Sequence, residues 1–151
     1  MTSEGLATLN KRVWPKTVDY PTDGIYLSST NAKAAEVNAA NLAQLTRPVF
    51  RHTATCSKKF DLKMAPTDAD LKLKIGAKVM FVSNHPVGLW VNGTLGVIED
   101  ILEDDLEVVV RTEEGQPVVV SPHKWQTYKY LYDAKNGRLE QESAGSLLSF
   151  L

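Results

Sequence analysis

The sequence predicts an α+β fold in which one strand–helix unit is followed by a small, mostly antiparallel sheet. Three observations predict it. A compact apolar run and an alanine-rich helix pattern follow each other in residues 24–45. Short alternating apolar runs, separated by glycine-containing turns, occupy most of residues 73–142. The chain has 151 residues, 43% of them apolar, which is enough to bury one ordinary core.

The first 29 residues predict a short helix, a loop and a strand. Apolar side chains recur at helical spacing as far as Val13, and prolines at 15 and 21 then end the pattern, because a residue before proline avoids the helical backbone. Residues 24–29 alternate between two faces, which is typical of a strand.

Residues 32–45 have the clearest helix pattern. Alanine favours the helix, and Pro48 lies just beyond its end. Asn38 and Asn41 fall on the same face as the apolar residues, so we expect them to be buried and to hydrogen-bond to neighbouring elements; direct contact with a ligand is the alternative.

Thr30 and Asn31 lie between this strand and this helix, and two roles are open to them. Either residue can cap the helix by accepting a bond from an exposed amide. Ligands of open α/β sheets also bind beyond the carboxyl ends of strands, so a nucleotide or a nucleic-acid backbone could meet the pair there.

Residues 48–73 are less regular and predict a connection into the sheet. Alternation from Phe50 to Cys56 indicates one strand with an apolar face, on which His52 is expected to be a hydrogen-bonded structural residue. Nothing in the sequence orients this histidine or activates the thiol, so a Cys–His nucleophile is not predicted. A single cysteine forms no internal disulfide and favours a reducing, cytoplasmic location. No signal peptide or membrane-spanning run is recognisable.

The most distinctive stretch is a predicted strand, loop and strand in residues 73–98. Gly93 and Gly96 indicate positions with positive φ or close strand approach, where a Cβ would clash. The loop interleaves its turn residues with side chains that can bind a ligand. These candidates are Asn84, His85, Trp90 and Asn92.

The remainder predicts further short strands that close a small sheet. Strands are expected at 106–111 and 117–121, a short helical turn at 122–125, and a hairpin around Asn136 and Gly137. Lys124 and Trp125, in the predicted helical turn, are further candidates for nucleic-acid contact. Residues 143–151 are expected to form an exposed apolar end.

Charge is distributed unevenly. Residues 1–75 have 11 basic and 7 acidic side chains, a balance of +4, whereas residues 76–151 have 6 and 11, a balance of −5. Nucleic-acid binding usually requires basic surface. Such a surface can exist here only locally, and a solvated edge is the alternative. The lysines concerned are Lys58, Lys59, Lys63, Lys72, Lys74 and Lys78.

Several segments resemble the Pif-type and RecD-like superfamily 1 DNA helicases. LKIGAKVMFVSN and LWVNGTLGVI are similar to the start of the SH3-like barrel inserted into the second RecA-like motor domain of those proteins. LSSTNAKAAEVNAANLAQL is similar to the first strand and helix of that domain, and LATLNKRV to the preceding helix. The resemblance implies a partial motor domain in residues 1–60, the barrel with its C-terminal hairpin in residues 61–142, and the start of a return segment in residues 143–151.

The resemblance also implies a function, that of a fragment of an ATP-dependent DNA helicase. The barrel would lie beside the translocating single strand, contact it and couple motor movement to strand separation, with the rest of the helicase chain as its other partner. A Gly-x4-Gly-Lys-Ser/Thr loop, a magnesium-binding acidic pair and an arginine finger are not found, so this chain is expected to bind no cofactor and hydrolyse no ATP. ATP and magnesium belong to the intact parent, whose later motifs would follow the end of this chain.

Two other functional classes remain open. The chain can be a stand-alone SH3-like nucleic-acid-binding barrel, although that leaves the strand–helix unit unexplained. It can also be a protein-interaction module in which Trp90 and the acidic loop meet a basic partner. For residues 1–60, an unpaired sheet edge predicts self-association or partial disorder. Trp90 itself has two readings: it can stack on a base of single-stranded DNA, or pack into the core.

Overall fold

The computed structural model describes residues 3–11, 13, 25–57, 60–133 and 136–150, and it confirms the α+β class with mostly antiparallel strands. The helices are α1 (Ser3–Asn10) and α2 (Asn31–Gln44), with a short 3-10 turn at Leu62–Met64. The strands are β1 (Phe50–Thr53), β2 (Thr55–Cys56), β3 (Asp70–Leu73), β4 (Lys78–Met80), β5 (Leu95–Leu102), β6 (Glu107–Thr112), β7 (Pro117–Val120), β8 (His123–Asp133) and β9 (Arg138–Ser149).

The strands form three antiparallel groups. Four strands make the largest sheet, in the order β4-β5-β6-β7. A second sheet has the order β2-β9-β8, and β1 pairs with β3. The β5–β6 pairing shifts register between Ile98 and Asp100, which is the sign of a β-bulge.

Gly96 lies where β5 passes closest to β6. A Cβ added there would stand 2.5 Å from Val110 Cγ1 and 2.8 Å from the Arg111 carbonyl oxygen. Gly93 has φ +93°, a conformation that glycine adopts without strain. Gly96 meets the expectation of close strand approach, and Gly93 meets the expectation of positive φ.

The core is formed mainly by alternate residues of the four-stranded sheet. In β6 and β7, every second side chain is buried, as expected for strands with one covered face. Phe150, only 2% exposed, joins this core, and Leu147 is fully buried. The prediction of an exposed apolar end is therefore wrong for these two residues, because β9 carries them against the sheets; Leu151 lies outside the described residues.

The chain divides into two compact units, residues 1–38 and 39–151, and the boundary falls within α2. No residue of α1 or α2 is fully buried. Leu42 and Leu45, near the end of α2, pack against the core of the second unit. Asn38 and Asn41 are exposed, so the expectation that they are buried is wrong. The part of α2 that contacts the core includes Leu42 but not these two asparagines, although all three lie on the same predicted face.

Three further expectations are corrected by strand pairing. Residues 25–29 are not in a strand, because no described strand lies beside them to share a hydrogen-bond ladder, and Gly24 lies outside the described residues. The run 50–56 is two strands, since β1 pairs with β3 and β2 pairs with β9. Residues 123–125 are not helical but begin β8, where His123 pairs with Ser149.

Other expectations fall partly on residues that the structure does not describe. These are the loop after Val13, the turn at Lys58 and Lys59, and Lys135 in the hairpin. The hairpin itself is confirmed, with β8 and β9 paired from Asp133 opposite Arg138 back to His123. In the described ranges, neither helix is long and apolar enough to cross a bilayer.

Candidate nucleic-acid interface

The loop between β4 and β5 is closed by main-chain hydrogen bonds at its base. The Phe81 amide donates to the Thr94 carbonyl at 2.9 Å, and the Gly93 amide donates to the Phe81 carbonyl at 2.8 Å. The positive φ of Gly93 lets the chain turn sharply enough for the second of these bonds. These two bonds therefore join the start of the loop, at Phe81, to its end, at Gly93 and Thr94.

Trp90 anchors the loop from inside. Its side chain is only 5% exposed and stacks on Phe81, with ring centroids 4.5 Å apart and planes inclined by 23°. The Trp90 indole Nε1 is buried and has no hydrogen-bond partner within the described part of the chain. Of the two roles open to Trp90, core packing is the one that the structure shows, and stacking on DNA stays a prediction.

His85 packs directly beside this tryptophan. The two ring centroids are 4.2 Å apart, and the His85 amide donates to the Trp90 carbonyl at 3.0 Å. The His85 carbonyl in turn accepts from the Gly88 amide at 3.0 Å, and Gly88 has φ +80°. These bonds fold residues 85–90 into a tight turn that leaves His85 half-buried.

Asn84 and Asn92 bracket the turn. The side-chain oxygen of Asn84 accepts a hydrogen bond of 2.7 Å from the Asn92 main-chain amide. Both residues are exposed, so their side-chain amides lie at the surface of the loop. An amide can both donate to and accept from a base edge or a phosphate, which gives this bracket the chemistry of a polar recognition site.

The outer face of the loop is apolar. Val87, Leu89 and Val91 are 79%, 55% and 60% exposed. Because main-chain bonds and the buried tryptophan hold the loop, these side chains are fixed in place and exposed to solvent. Sequence reasoning missed them; the alternation of exposed aliphatics with buried Trp90 is the signal that could have found them.

Thr30 and Asn31 stand at the start of α2 in the first unit. Thr30 Oγ1 accepts from the Lys33 amide at 3.3 Å, which is the bond of a helix cap. Ser28 Oγ donates to the Thr30 carbonyl at 2.9 Å. Capping is thus observed for Thr30, and a role of this pair in ligand contact stays a prediction.

Lys124 and Trp125 lie on β8, in a different sheet from the strands that carry the loop. Lys124 is exposed. The Trp125 ring packs edge-on against His123, with centroids 4.8 Å apart, and its buried Nε1 has no hydrogen-bond partner among residues with described positions. Of this pair, only the lysine presents its polar group to solvent.

The basic surface is smaller than the sequence suggests. Lys74 is buried and donates to the Leu45 carbonyl, so it contributes no surface charge. Lys63, Lys72 and Lys78 are exposed, while the positions of Lys58 and Lys59 are not described. Three of the six lysines are thus exposed at described positions.

Other chemistry is not assembled within the described ranges. No group of three histidine, cysteine or carboxylate side chains is placed to hold a metal ion. Cys56 is exposed, and His52 packs edge-on against Phe150 with ring centroids 4.8 Å apart. The His52 Nε2 is buried without a hydrogen-bond partner in those ranges, so the expected bond is not seen at that atom.

A scan against protein-family models found no match. Similar proteins are nevertheless identified by sequence. The ATP-dependent DNA helicase Pif1 of Bdellovibrio bacteriovorus is 36% identical over 118 residues, which are 75% of this chain and 26% of that protein. The corresponding helicase of Campylobacter jejuni is 27% identical over 114 residues, which are 67% of this chain and 25% of that protein.

Solved structures show the same fold. Unliganded Pif1 from Bacteroides sp. matches 99% of this chain and 34% of its own, with a TM-score of 0.82 and 24% identity. Bacteroides Pif1 bound to single-stranded DNA matches 99% of this chain and 33% of its own, with a TM-score of 0.75 and 25% identity. The chain thus spans between a quarter and about a third of the length of these relatives. By sequence this chain is similar to a segment of the Pif-type superfamily 1 helicases, and it has the fold of the matching part of their solved structures.

Proposed function

We propose that this segment contacts single-stranded DNA through the loop of residues 82–94 and couples that contact to the motor of an ATP-dependent DNA helicase. The observation that carries the proposal is the fixed geometry of the loop. Buried Trp90 and the main-chain bonds at its base hold the exposed amides of Asn84 and Asn92 beside an apolar tip. A protein contacts an unpaired base by hydrogen bonds to its polar edge and by apolar contact with its face. This surface has side chains for both kinds of contact.

The end of α2 supports the coupling part of the proposal. Leu42 and Leu45 pack against the core, and the Lys74 ammonium donates to the Leu45 carbonyl at 2.6 Å. The last turn of the helix is therefore fixed to the chain that leads into β4 and the loop. A displacement of this turn would be passed to the loop through packed atoms rather than through a flexible linker.

The ATP site belongs elsewhere in our proposal. The sequence has no Gly-x4-Gly-Lys-Ser/Thr loop to cradle phosphates, so ATP and magnesium would be bound by other parts of the intact helicase. The same proposal assigns residues 1–60 to a RecA-like motor domain, 61–142 to an inserted SH3-like barrel with its hairpin, and 143–151 to a return segment. The remaining helicase chain is then a partner of this segment, inside the cell where DNA lies.

The test is fluorescence anisotropy of a labelled single-stranded oligonucleotide titrated with the chain at low and moderate salt. Asn92→Ala removes an exposed amide but keeps the main-chain bond to Asn84, and Val87→Ser removes an apolar contact at the tip. Both variants are expected to weaken binding. Val119→Ser is the control for Val87→Ser, because Val119 is also an exposed valine but lies on β7, away from the loop.

Either of two results would contradict the proposal. One is the absence of binding by the unsubstituted chain at low salt. The other is an oligonucleotide affinity of the Asn92→Ala and Val87→Ser variants equal to that of the Val119→Ser variant. ATP turnover by the purified chain above that of a heat-killed control would separately contradict the assignment of the ATP site to other parts of the helicase.

A further inference from the structure

The hairpin of β8 and β9 carries three tyrosines on one face. Tyr128, Tyr130 and Tyr132 alternate along β8, and side chains two apart on a strand point to the same side. They are 47%, 66% and 68% exposed. The loop described above uses none of them, and they form a separate exposed aromatic surface, here called the tyrosine ladder.

Apart from Lys124, the described residues on the rest of that face are uncharged. Directly opposite residues of an antiparallel pair share a face, and the ladder is opposite Ser143, Gln141 and Leu139. Toward the base of the hairpin, β8 continues the same alternation through Gln126 to Lys124. The Tyr128 hydroxyl donates to Gln126 Oε1 at 2.7 Å, which agrees with a shared side.

The opposite face of the hairpin is charged. It carries Lys129 and Leu131 on β8, and across from them Glu142 and Glu140 on β9. Arg138 is on the same face of β9, so acidic and basic residues are mixed there, whereas the charged residue on the ladder face is Lys124. The hairpin is thus two-sided, with one side of mainly aromatic and uncharged residues, suited to flat apolar groups, and one side of mixed charge.

The spacing of the ladder suits bases. Tyrosines two residues apart on a strand are separated by roughly 6.7 Å, twice the rise per residue. One base stacked at about 3.4 Å from each neighbouring ring fills that interval. Stacking on successive aromatic side chains is how proteins hold single strands without reading their sequence. Among the described strands, β8 is last in the order of its sheet, so none of them pairs with its outer edge.

We propose that the tyrosine ladder is a second binding site for single-stranded nucleic acid, with the bases stacked on Tyr128, Tyr130 and Tyr132 and the backbone reaching Lys124. The inference rests on the proposed function in supposing that this segment meets single-stranded DNA, but it concerns a different surface. Phosphate contacts are few here, so binding at the ladder depends only weakly on salt, with a logarithmic slope near that of one cation, about 0.7 in magnitude.

The experiment separates stacking from other roles by two substitutions at one position. Tyr130→Phe keeps the ring and Tyr130→Ser removes it, while Leu131→Ser changes a similarly exposed side chain on the opposite face. Affinity for a labelled oligodeoxythymidine is measured by anisotropy, and thermal melting checks that each variant is folded. We expect Tyr130→Ser to lower affinity about 5- to 150-fold, the range for loss of one stacked base, and the other two to bind normally.

Photocrosslinking identifies which surface is contacted. An oligonucleotide carrying 5-iododeoxyuridine is expected to crosslink to the ladder tyrosines and, if the proposed function holds, also to residues 82–94. Crosslinks and losses confined to the loop would overturn the ladder and leave the proposed function intact. Crosslinks and losses of affinity confined to the ladder would support the ladder and overturn the proposed function. No binding of the oligonucleotide at all would overturn both.

Two further outcomes also overturn the inference. Equal losses in Tyr130→Phe and Tyr130→Ser would show that the hydroxyl matters and the ring does not. If Tyr130→Ser abolishes self-association of the chain, measured by light scattering without DNA, and leaves oligonucleotide affinity unchanged, the ladder is a protein-binding surface instead.

Discussion

The Lys74 ammonium donates a 2.6 Å hydrogen bond to the carbonyl oxygen of Leu45, just beyond the end of α2. Lys74 is 9% exposed, so this bond forms largely out of water. A cation at a helix C-terminus also compensates the partial negative charge of the last carbonyls. The pair therefore fastens the helix end to the turn before β4, and from there to the candidate loop.

Replacing Lys74 should weaken this attachment. Lys74→Met keeps most of the apolar stem but leaves the Leu45 carbonyl without its donor, so the free energy of unfolding should fall by about 1–3 kcal/mol. Urea denaturation measures it. Lys72→Met is the control, because Lys72 is exposed on β3; equal stability of the two variants would show that the bond contributes nothing.

The burial of Trp90 predicts a structural cost when it is truncated. Trp90→Ala removes the ring that stacks on Phe81 and leaves a cavity, so we expect a loss of about 3–5 kcal/mol. Val91→Ala, at the exposed neighbouring position, should change stability by less than about 0.5 kcal/mol. Denaturant melts of both proteins test this, and a mild effect of Trp90→Ala would mean that the indole is not part of the core.

Gly96 predicts a steric effect. In Gly96→Ala the new methyl group meets Val110 and the main chain of Arg111, so β5 and β6 must move apart at a cost of about 1–3 kcal/mol. Val97→Ala removes atoms at the next, partly exposed position of β5 and should cost less. The two melting temperatures are compared, and a Gly96→Ala protein as stable as Val97→Ala would contradict the close approach.

Self-association or partial disorder is expected in residues 1–60, and exposed apolar side chains in the described part of this range favour self-association. Ile25 and Leu27 are 68% and 97% exposed, and no described strand pairs with their segment. Leu27→Ser should therefore lower the apparent mass measured by light scattering, whereas Ser29→Ala should leave it unchanged. A monomeric chain with slow amide exchange throughout residues 1–60 would refute the expectation.

Local patterns predicted much of the fold, and long-range pairing decided where they failed. The alternation in β4 and β5 and the glycines between them were sufficient to predict a strand, loop and strand. Residues 25–29 look like a strand, but a strand also requires a neighbour. Likewise, nothing local shows that His123 pairs with Ser149, so the proline before it suggested a helical turn.

The candidate site was predictable in its location and less so in its details. Glycine, asparagine and tryptophan in one loop indicated a binding segment. The loop sequence does not show, however, whether its tryptophan stacks on a ligand or on Phe81. Burial of this side chain depends on its packing against Phe81 and the rest of the core, which the loop residues alone do not specify. The tyrosine ladder, in contrast, is visible as simple alternation from 128 to 132 and needed only the pairing of β8 with β9 to define its face.

The most direct test of the central claim is amide hydrogen exchange of the chain with and without a saturating single-stranded oligonucleotide. If the loop contacts DNA, exchange in residues 84–92 should slow when the oligonucleotide is added, while the turn between β6 and β7 should exchange at the same rate in both samples. Unchanged exchange in residues 84–92, under conditions where anisotropy shows the oligonucleotide bound, would contradict the account.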